Sequence, residues 1–326
     1  MLAVLRYRRI PYRRRMGSWR MSQPDDLPRP KVELLPTLYF TGENGKTEAL
    51  VGSTPLIRRL EADHAGRAVV PGDPAIAFLD ALLEDYADEW LTKAMFHYRW
   101  VYAPDIDRAG EILPRWTVTP RGEAELAELK AAFSERQISR LHVVGSNPTT
   151  GPVIEASYER FLDVLKARLA DSAFLFGARP SSADFAAFGQ LTQLTHFDPT
   201  PMAVTLEHAP RVWAWVELVE DLSGLEPEET DWVAPGAIPD SLRALFAEAG
   251  RCYAPVMLAN ARALLDGADT VETEVDGKPW VQQPFPYQGK CLQGLRRDYA
   301  ALDAGARAVV DDVLAGTGCE ALFVGA

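Results

Sequence analysis

The sequence predicts an α+β chain that is mostly helical. Three observations carry this: a strand-rich opening that ends in a capped helix, a long succession of apolar stripes at helical spacing, and a second hairpin between helices near the C-terminus. At 326 residues with 47% hydrophobic content, the chain is long enough to bury a large core and hold more than one domain.

The β-like stretch begins at residue 32. "VELLPTLYF", "TGENGK" and "TEALVG" read as two short strands joined by a loop containing Asn44-Gly45. In "STPLIRRLE", Ser53 and Thr54 are candidate N-caps, and Pro55 falls in the first helical turn, where its missing N–H costs nothing. "AVVPGDP" then punctuates the chain and predicts a domain boundary at 69–74.

Beyond it, Ile76, Leu79, Leu83, Tyr86 and Trp90 recur at helical spacing. So do Tyr158, Phe161, Leu162, Leu165 and Leu169, and then Val212, Val216, Val219 and Leu222. These are core faces. Between the last two stripes, "RPSSADFAAF" places Ser181 three residues before Asp184, a capping box. The proline-rich stretch 104–153 reads as loop with one helix at 121–133. A helix near 240–265, a hairpin about Asp276-Gly277, and helices at 289–304 and 305–314 complete the order.

Composition excludes several functions. Cys252, Cys291 and Cys319 lie far apart and outside any C-x-x-C pattern, so neither a disulfide framework nor a zinc site is expected. The five histidines lack metal-ligand spacing, and no metal is expected. No apolar run reaches the roughly 18 residues of a membrane span, and no cleavable leader follows the basic start. A soluble, cytoplasmic protein without stable membrane insertion is expected.

Residues 1–72 carry 13 Lys and Arg against 7 Asp and Glu, net +6, leaving 21 against 39, net −18, for residues 73–326. A chain at −12 overall repels nucleic acid, and no nucleic-acid partner is expected.

Four pieces in order, "LLPTLYF", "ALVGSTPLIRRLE", "RPSSADFAAF" and "APRVWAWVELV", resemble the glutathione S-transferase superfamily. The resemblance covers roughly residues 5 to 223 and implies three segments. Residues 1–70 would be a partial thioredoxin-like domain, 73–224 an all-helical C-terminal domain, and 225–326 an extension of helices and a hairpin.

In that family the proline opening the third strand is cis, and the residue before it offers its backbone to the cysteinyl part of glutathione. Leu35 and Pro36 match. An acid then precedes a Ser or Thr that holds the γ-glutamyl carboxylate at a helix N-terminus, where the dipole favours an anion. Ser53 and Thr54 match, but Gly52 replaces the acid; losing its charge-assisted bond should cost roughly 1.5–3 kcal/mol. Ser181 and Asp184 match the structural capping box of the helical domain.

The opening "MLAVLRYRRIPYRRR" resembles the end of the first helix and the entry, at Ile10-Pro11-Tyr12, into the second strand. The first strand and the Ser, Tyr or Cys that activates the thiol would precede it, so the catalytic residue is unknown. Either the start is assigned too late, or the domain is degenerate; a transit peptide, a nucleic-acid arm and a membrane-surface contact are weaker alternatives.

The resemblance implies glutathione as co-substrate, an electrophilic small molecule as partner, thiol addition or exchange as chemistry, and a homodimer. Phe96, Tyr98, Trp100 and Tyr102 are candidates for the hydrophobic substrate site, though core packing competes for them. The alternative is a non-catalytic scaffold or binding protein of the same fold. In the extension, "PFPYQGKCLQGLRRDYAAL" predicts a segment wedged by Pro284 and Pro286 against a second surface, leading into a helix with Lys290, Arg296 and Arg297 that roofs the cleft. Cys291 beside Lys290 is either a lowered-pKa thiol or a buried inert one.

Overall fold

A computed structural model describes residues 1–15, 27–116 and 121–325. Helix α1 (Leu2–Tyr7) is followed by strands β1 (Thr37–Thr41) and β2 (Thr47–Val51) and helix α2 (Ser53–Asp63). The strands form an antiparallel hairpin in which Thr37 faces Val51 and Thr41 faces Thr47. Its open end therefore brings Pro36 beside Gly52, and the Leu35-Pro36 bond is cis. The expected strand entry at Ile10-Pro11-Tyr12 has no strand through residue 15, and its continuation lies outside the described residues.

Helix α3 (Pro74–Tyr86) starts where the Pro/Gly punctuation ends. Asp73 caps it by accepting from the Ala75 N–H at 2.9 Å and the Ile76 N–H at 3.1 Å. A single π-helical turn, Ala87–Leu91, joins α3 to α4 (Thr92–Val101). Such a turn widens one coil of the helix and re-aims the side chains on it, here Asp88 and Glu89.

The loop expected over 104–153 is largely helical. Helix α5 (Ala103–Ile112) begins with Pro104 in its first turn, where a proline starts a helix rather than breaking one. Helix α6 (Glu123–Ile138) runs past the expected end at 133, and a 3-10 turn, Leu141–Val144, follows.

Helices α7 (Gly151–Asp171), α8 (Ser182–His196), α9 (Pro199–His208) and α10 (Pro210–Val219) continue the bundle. All of the apolar stripes are buried except Leu222, which is half-buried. The capping box of α8 closes: the Asp184 carboxyl accepts from the Ser181 N–H at 2.8 Å and from the Leu175 N–H at 2.9 Å.

The C-terminal hundred residues share this core. Helix α11 (Asp240–Asp266) packs on α7 and α3, and its Gly250 touches the chain at Thr317, whose carbonyl oxygen would lie 2.0 Å from an added Cβ. Strands β3 (Val271–Val275) and β4 (Lys278–Gln282) form the expected hairpin. Its turn residues, Asp276 and Gly277, have φ of 53° and 69°. Helices α12 (Pro286–Ala300) and α13 (Ala304–Leu314) begin a little earlier than the sequence suggests, and both pack on α3.

The basic start is matched within the fold. Arg6 pairs with Glu220, Arg9 with Glu226, and Arg8 with Glu61 at 2.9 Å, while Arg67 donates to the Leu222 carbonyl at 3.1 Å. Arg6 and Arg9 thus pair the basic start with the acidic remainder of the chain. No helix among the described residues is long and apolar enough to cross a membrane.

Candidate functional site

The N-terminus of α2 is uncapped. Gly52 occupies the N-cap with φ 92° and supplies no side chain. That backbone angle favours glycine, so the acid expected from the resemblance would be strained there. Ser53 and Thr54 are the first helical residues rather than caps, and their hydroxyls turn to α3 and the π-turn. Ser53 Oγ donates to Asp88 Oδ2 at 3.2 Å, and Thr54 Oγ1 donates to Glu84 Oε1 at 2.6 Å.

The N–H groups of Ser53 and Thr54 have no acceptor among the described residues. Across the hairpin's open end, Leu35 is exposed and its own N–H and C=O are also without partners there. Two free donors at a helix N-terminus, beside a free extended dipeptide, form a place for a peptide-like anion.

The facing wall is acidic. The Ser182 Oγ lies 2.7 Å from a carboxyl oxygen of both Asp80 and Glu84, so its one proton serves one of them at a time, and Asp80 accepts from the Ala183 N–H at 2.9 Å. Tyr253 donates to Asp85 at 2.6 Å. Burial, with neighbouring carboxyls adding to it, pushes the Asp80, Asp85 and Asp88 carboxyls up to about 7. These carboxyls therefore keep their protons to a higher pH than exposed aspartates do.

Helix α12 packs beside this wall: Gln288 is buried, with Nε2 3.4 Å from the Glu89 carbonyl oxygen. Cys291 is half-buried, and burial followed by the Asp85 and Glu89 charges pushes its thiol up rather than down. Cys319 is buried and pushed up to about 12 by desolvation, and Cys252 is raised as well. None of the three is an activated thiolate.

Phe96, Tyr98, Trp100 and Tyr102 are not brought to one face. Their spacing of two turns each about 200° from the last on a helix. Tyr98 and Trp100 are buried, Trp100 against Phe133 at 5.8 Å. Tyr102 stacks on Tyr98 at 5.9 Å and donates to Glu155 at 2.5 Å.

Two clusters escaped the sequence. His97 Nδ1 lies 2.8 Å from Ser146 Oγ and Nε2 lies 2.9 Å from Glu155 Oε1, the order of a nucleophile, base and acid. Ser146 and His97 are only 4% and 3% exposed, so no substrate reaches the hydroxyl, and the trio clasps its loop to α4 and α7. Residues 97, 146 and 155 have no spacing that would have signalled this. Lys93 is also buried, with Nζ 3.1 Å from the Val144 carbonyl oxygen. A recess of about 220 Å³ nearby is lined by His142, Asn147, Thr270, Val281, Gln282 and Gln283. No group of three metal-ligating side chains occurs among the described residues.

Residues 121–218, from α6 to α10, match the family model described as glutathione S-transferase, C-terminal domain. No curated protein and no solved structure matches the chain. The chain thus contains a helical domain similar to that of the glutathione S-transferases, set in a mostly helical α+β fold.

Proposed function

We propose that the protein binds glutathione at the junction of the β1–β2 hairpin and α2, and that it acts as a glutathione S-transferase-like protein. The observation that carries this reading is the pair of N–H groups at Ser53 and Thr54, without acceptors among the described residues, beside the exposed backbone of Leu35. The N–H pair receives the γ-glutamyl carboxylate, helped by the helix dipole. Leu35 pairs its backbone with the cysteinyl unit. The sulfur, as thiolate, attacks an electrophilic carbon or a disulfide sulfur, and the leaving group departs with the bonding electrons. The family match over 121–218 supports the assignment of class.

Calorimetric titration of glutathione into the full chain and into Ser53→Ala tests the site. Weakening by about tenfold is expected, since the hydroxyl positions both the helix start and Asp88. Identical titrations would remove the site. Turnover of an aryl halide electrophile separates the two functional readings: binding without turnover makes this a non-catalytic glutathione-binding protein.

A further inference from the structure

The recess of about 220 Å³ lies where the loop after the Leu141–Val144 turn meets β4, and His142, Asn147, Thr270, Val281, Gln282 and Gln283 line it. No carboxyl, amine or guanidinium lines it. It is smaller than the roughly 300–1,000 Å³ of sites that hold drug-sized molecules, so its ligand is correspondingly small.

The register of the second hairpin fixes which backbone groups border this space. With a two-residue turn at Asp276-Gly277, Val275 and Lys278 close the ladder as a bonded pair, and bonded pairs then alternate along the strands. Trp280 and Gln282 therefore bond to β3, while Pro279 and Val281 turn their backbone outward. Pro279, which has no N–H to give, suits such an edge. The Val281 carbonyl is taken there, since Asn147 Nδ2 donates to it at 2.9 Å. The Val281 N–H, on the same edge, has no acceptor among the described residues.

Gln282 adds a second unmet donor, from a side chain only 5% exposed. Its Oε1 accepts from the Trp280 indole at 3.1 Å and from Lys93 at 3.3 Å, and its Nε2 gives one hydrogen to the Gln283 carbonyl at 3.3 Å. The other amide hydrogen has no acceptor among the described residues. The Lys93 ammonium on the oxygen polarises the amide and strengthens that donor. His142 supplies the opposite kind of group. Its Nδ1 lies 2.8 Å from the Ser139 carbonyl oxygen and must donate to it, so the neutral ring keeps its lone pair on Nε2, which has no partner among the described residues.

Two N–H donors and one imidazole acceptor, with no charge in the lining, are the complement of a carboxamide, whose oxygen accepts twice and whose NH2 donates. Asn147 already makes such a pairing, because its own carboxamide binds this strand edge. A carboxylate fits less well: Glu272 stands opposite Val281 across the hairpin and Asp269 precedes Thr270. We infer that the recess binds a small molecule bearing a neutral primary carboxamide, with its oxygen on the Val281 N–H and the Gln282 side chain and its NH2 on His142 Nε2. The Val281 side chain and the Thr270 methyl give its apolar body a wall. The site shares no residue with the glutathione reading and is tested apart from it.

Benzamide is the probe, titrated into the full chain at pH 8 while the NMR signals of the Val281 N–H and the Gln282 side-chain NH2 are followed. Both signals should move and saturate, with a Kd of about 1 mM for so small a ligand. Benzoate, which has the same shape, and methyl benzoate, which has no N–H, should each bind at least about tenfold more weakly. Val281→Pro removes the outward N–H without touching the ladder, and His142→Phe keeps a ring while removing the acceptor. Each should weaken benzamide about tenfold. His142 is exposed, so His142→Phe decides the matter if the proline variant fails to fold. Leu218→Ala, at an exposed side chain of α10, should bind like the wild type. No saturable shift, benzoate binding as tightly as benzamide, unchanged binding in His142→Phe, or equal weakening in Leu218→Ala overturns the inference.

Discussion

Thr54 donates its hydroxyl to the buried carboxyl of Glu84 at 2.6 Å, so the first turn of α2 is tied to the middle of α3. Glu84 has one further hydroxyl neighbour, Ser182 at 2.7 Å, which it shares with Asp80 and which ties in the start of α8. Three elements thus meet at one carboxyl. Thr54→Val keeps the side-chain shape but removes a donor, and should lower unfolding free energy by about 1–3 kcal/mol. Thr54→Ser, which restores the hydroxyl, should recover most of that in urea melts. A loss in Thr54→Ser with none in Thr54→Val would show that packing of the threonine methyl, not the hydrogen bond, holds the junction.

The raised carboxyls set a pH dependence of defined sign. Asp80, Asp85 and Asp88 move from about 3.8 to about 7, and Asp184 to about 6, burial being the largest cause for each. Between those values the folded chain holds protons that the unfolded chain has released. Their contribution to stability is complete below about pH 4 and is lost as pH rises through 7. Each such proton is worth roughly 1.4 kcal/mol per pH unit. Asp221 and Glu226, with lowered values, act in the opposite sense but are exposed. Urea midpoints should therefore fall from pH 5 to pH 8, and Asp88→Asn should flatten the fall. A rise over that range would contradict the buried-carboxyl account.

The sequence shows what repeats locally and hides what is assembled from afar. Ile76, Leu79, Leu83, Tyr86 and Trp90 announce a buried face through spacing alone, and they keep it through the π-turn that Trp90 occupies. Asp276-Gly277 announces its hairpin because two positive φ angles need those residues. Pro104 misleads, since the same residue that breaks a helix interior also starts a helix. At the candidate site, Ser53 and Thr54 stand in a recognisable motif, but their partners lie 35 and 30 residues away. Gln288 and Glu89 are 199 residues apart. No local pattern encodes such a pairing, because the packing of α12 on α3 creates it.

Arg99 and Asp198 form a buried bidentate pair. Arg99 Nε lies 2.9 Å from Asp198 Oδ1 and NH2 lies 2.8 Å from Oδ2, with the side chains 9% and 0% exposed. Removing one partner leaves the other charge without compensation in the interior. Arg99→Met should therefore destabilise by about 3–5 kcal/mol in denaturant unfolding. Arg99→Lys should recover only part of this, because an ammonium cannot repeat the two-pronged contact. Full recovery with lysine would show that charge alone matters here.

Lys93 gives a pH dependence at the alkaline end. Its amine sits 5.9 Å from the Trp90 ring and 5.6 Å from the Trp280 ring, and desolvation lowers it to about 8, with Glu89 opposing. The unfolded chain holds this proton to about pH 10.5. Between 8 and 10.5 the unfolded state therefore binds more protons, so this group makes stability rise with pH. Its depressed value acts against the fold below 8. Lys93→Met keeps the apolar contacts and removes the buried charge; the Val144 carbonyl loses a donor, while Gln282 Oε1 keeps the Trp280 indole N–H at 3.1 Å. Stability at pH 7 should stay within about 1 kcal/mol of the wild type or exceed it. The difference between the two proteins should shift in favour of the wild type from pH 7.5 to 9.5, as the wild-type lysine loses its proton. A loss of several kcal/mol at pH 7 with no such shift would show instead that the lysine remains charged and is held by the two tryptophan faces.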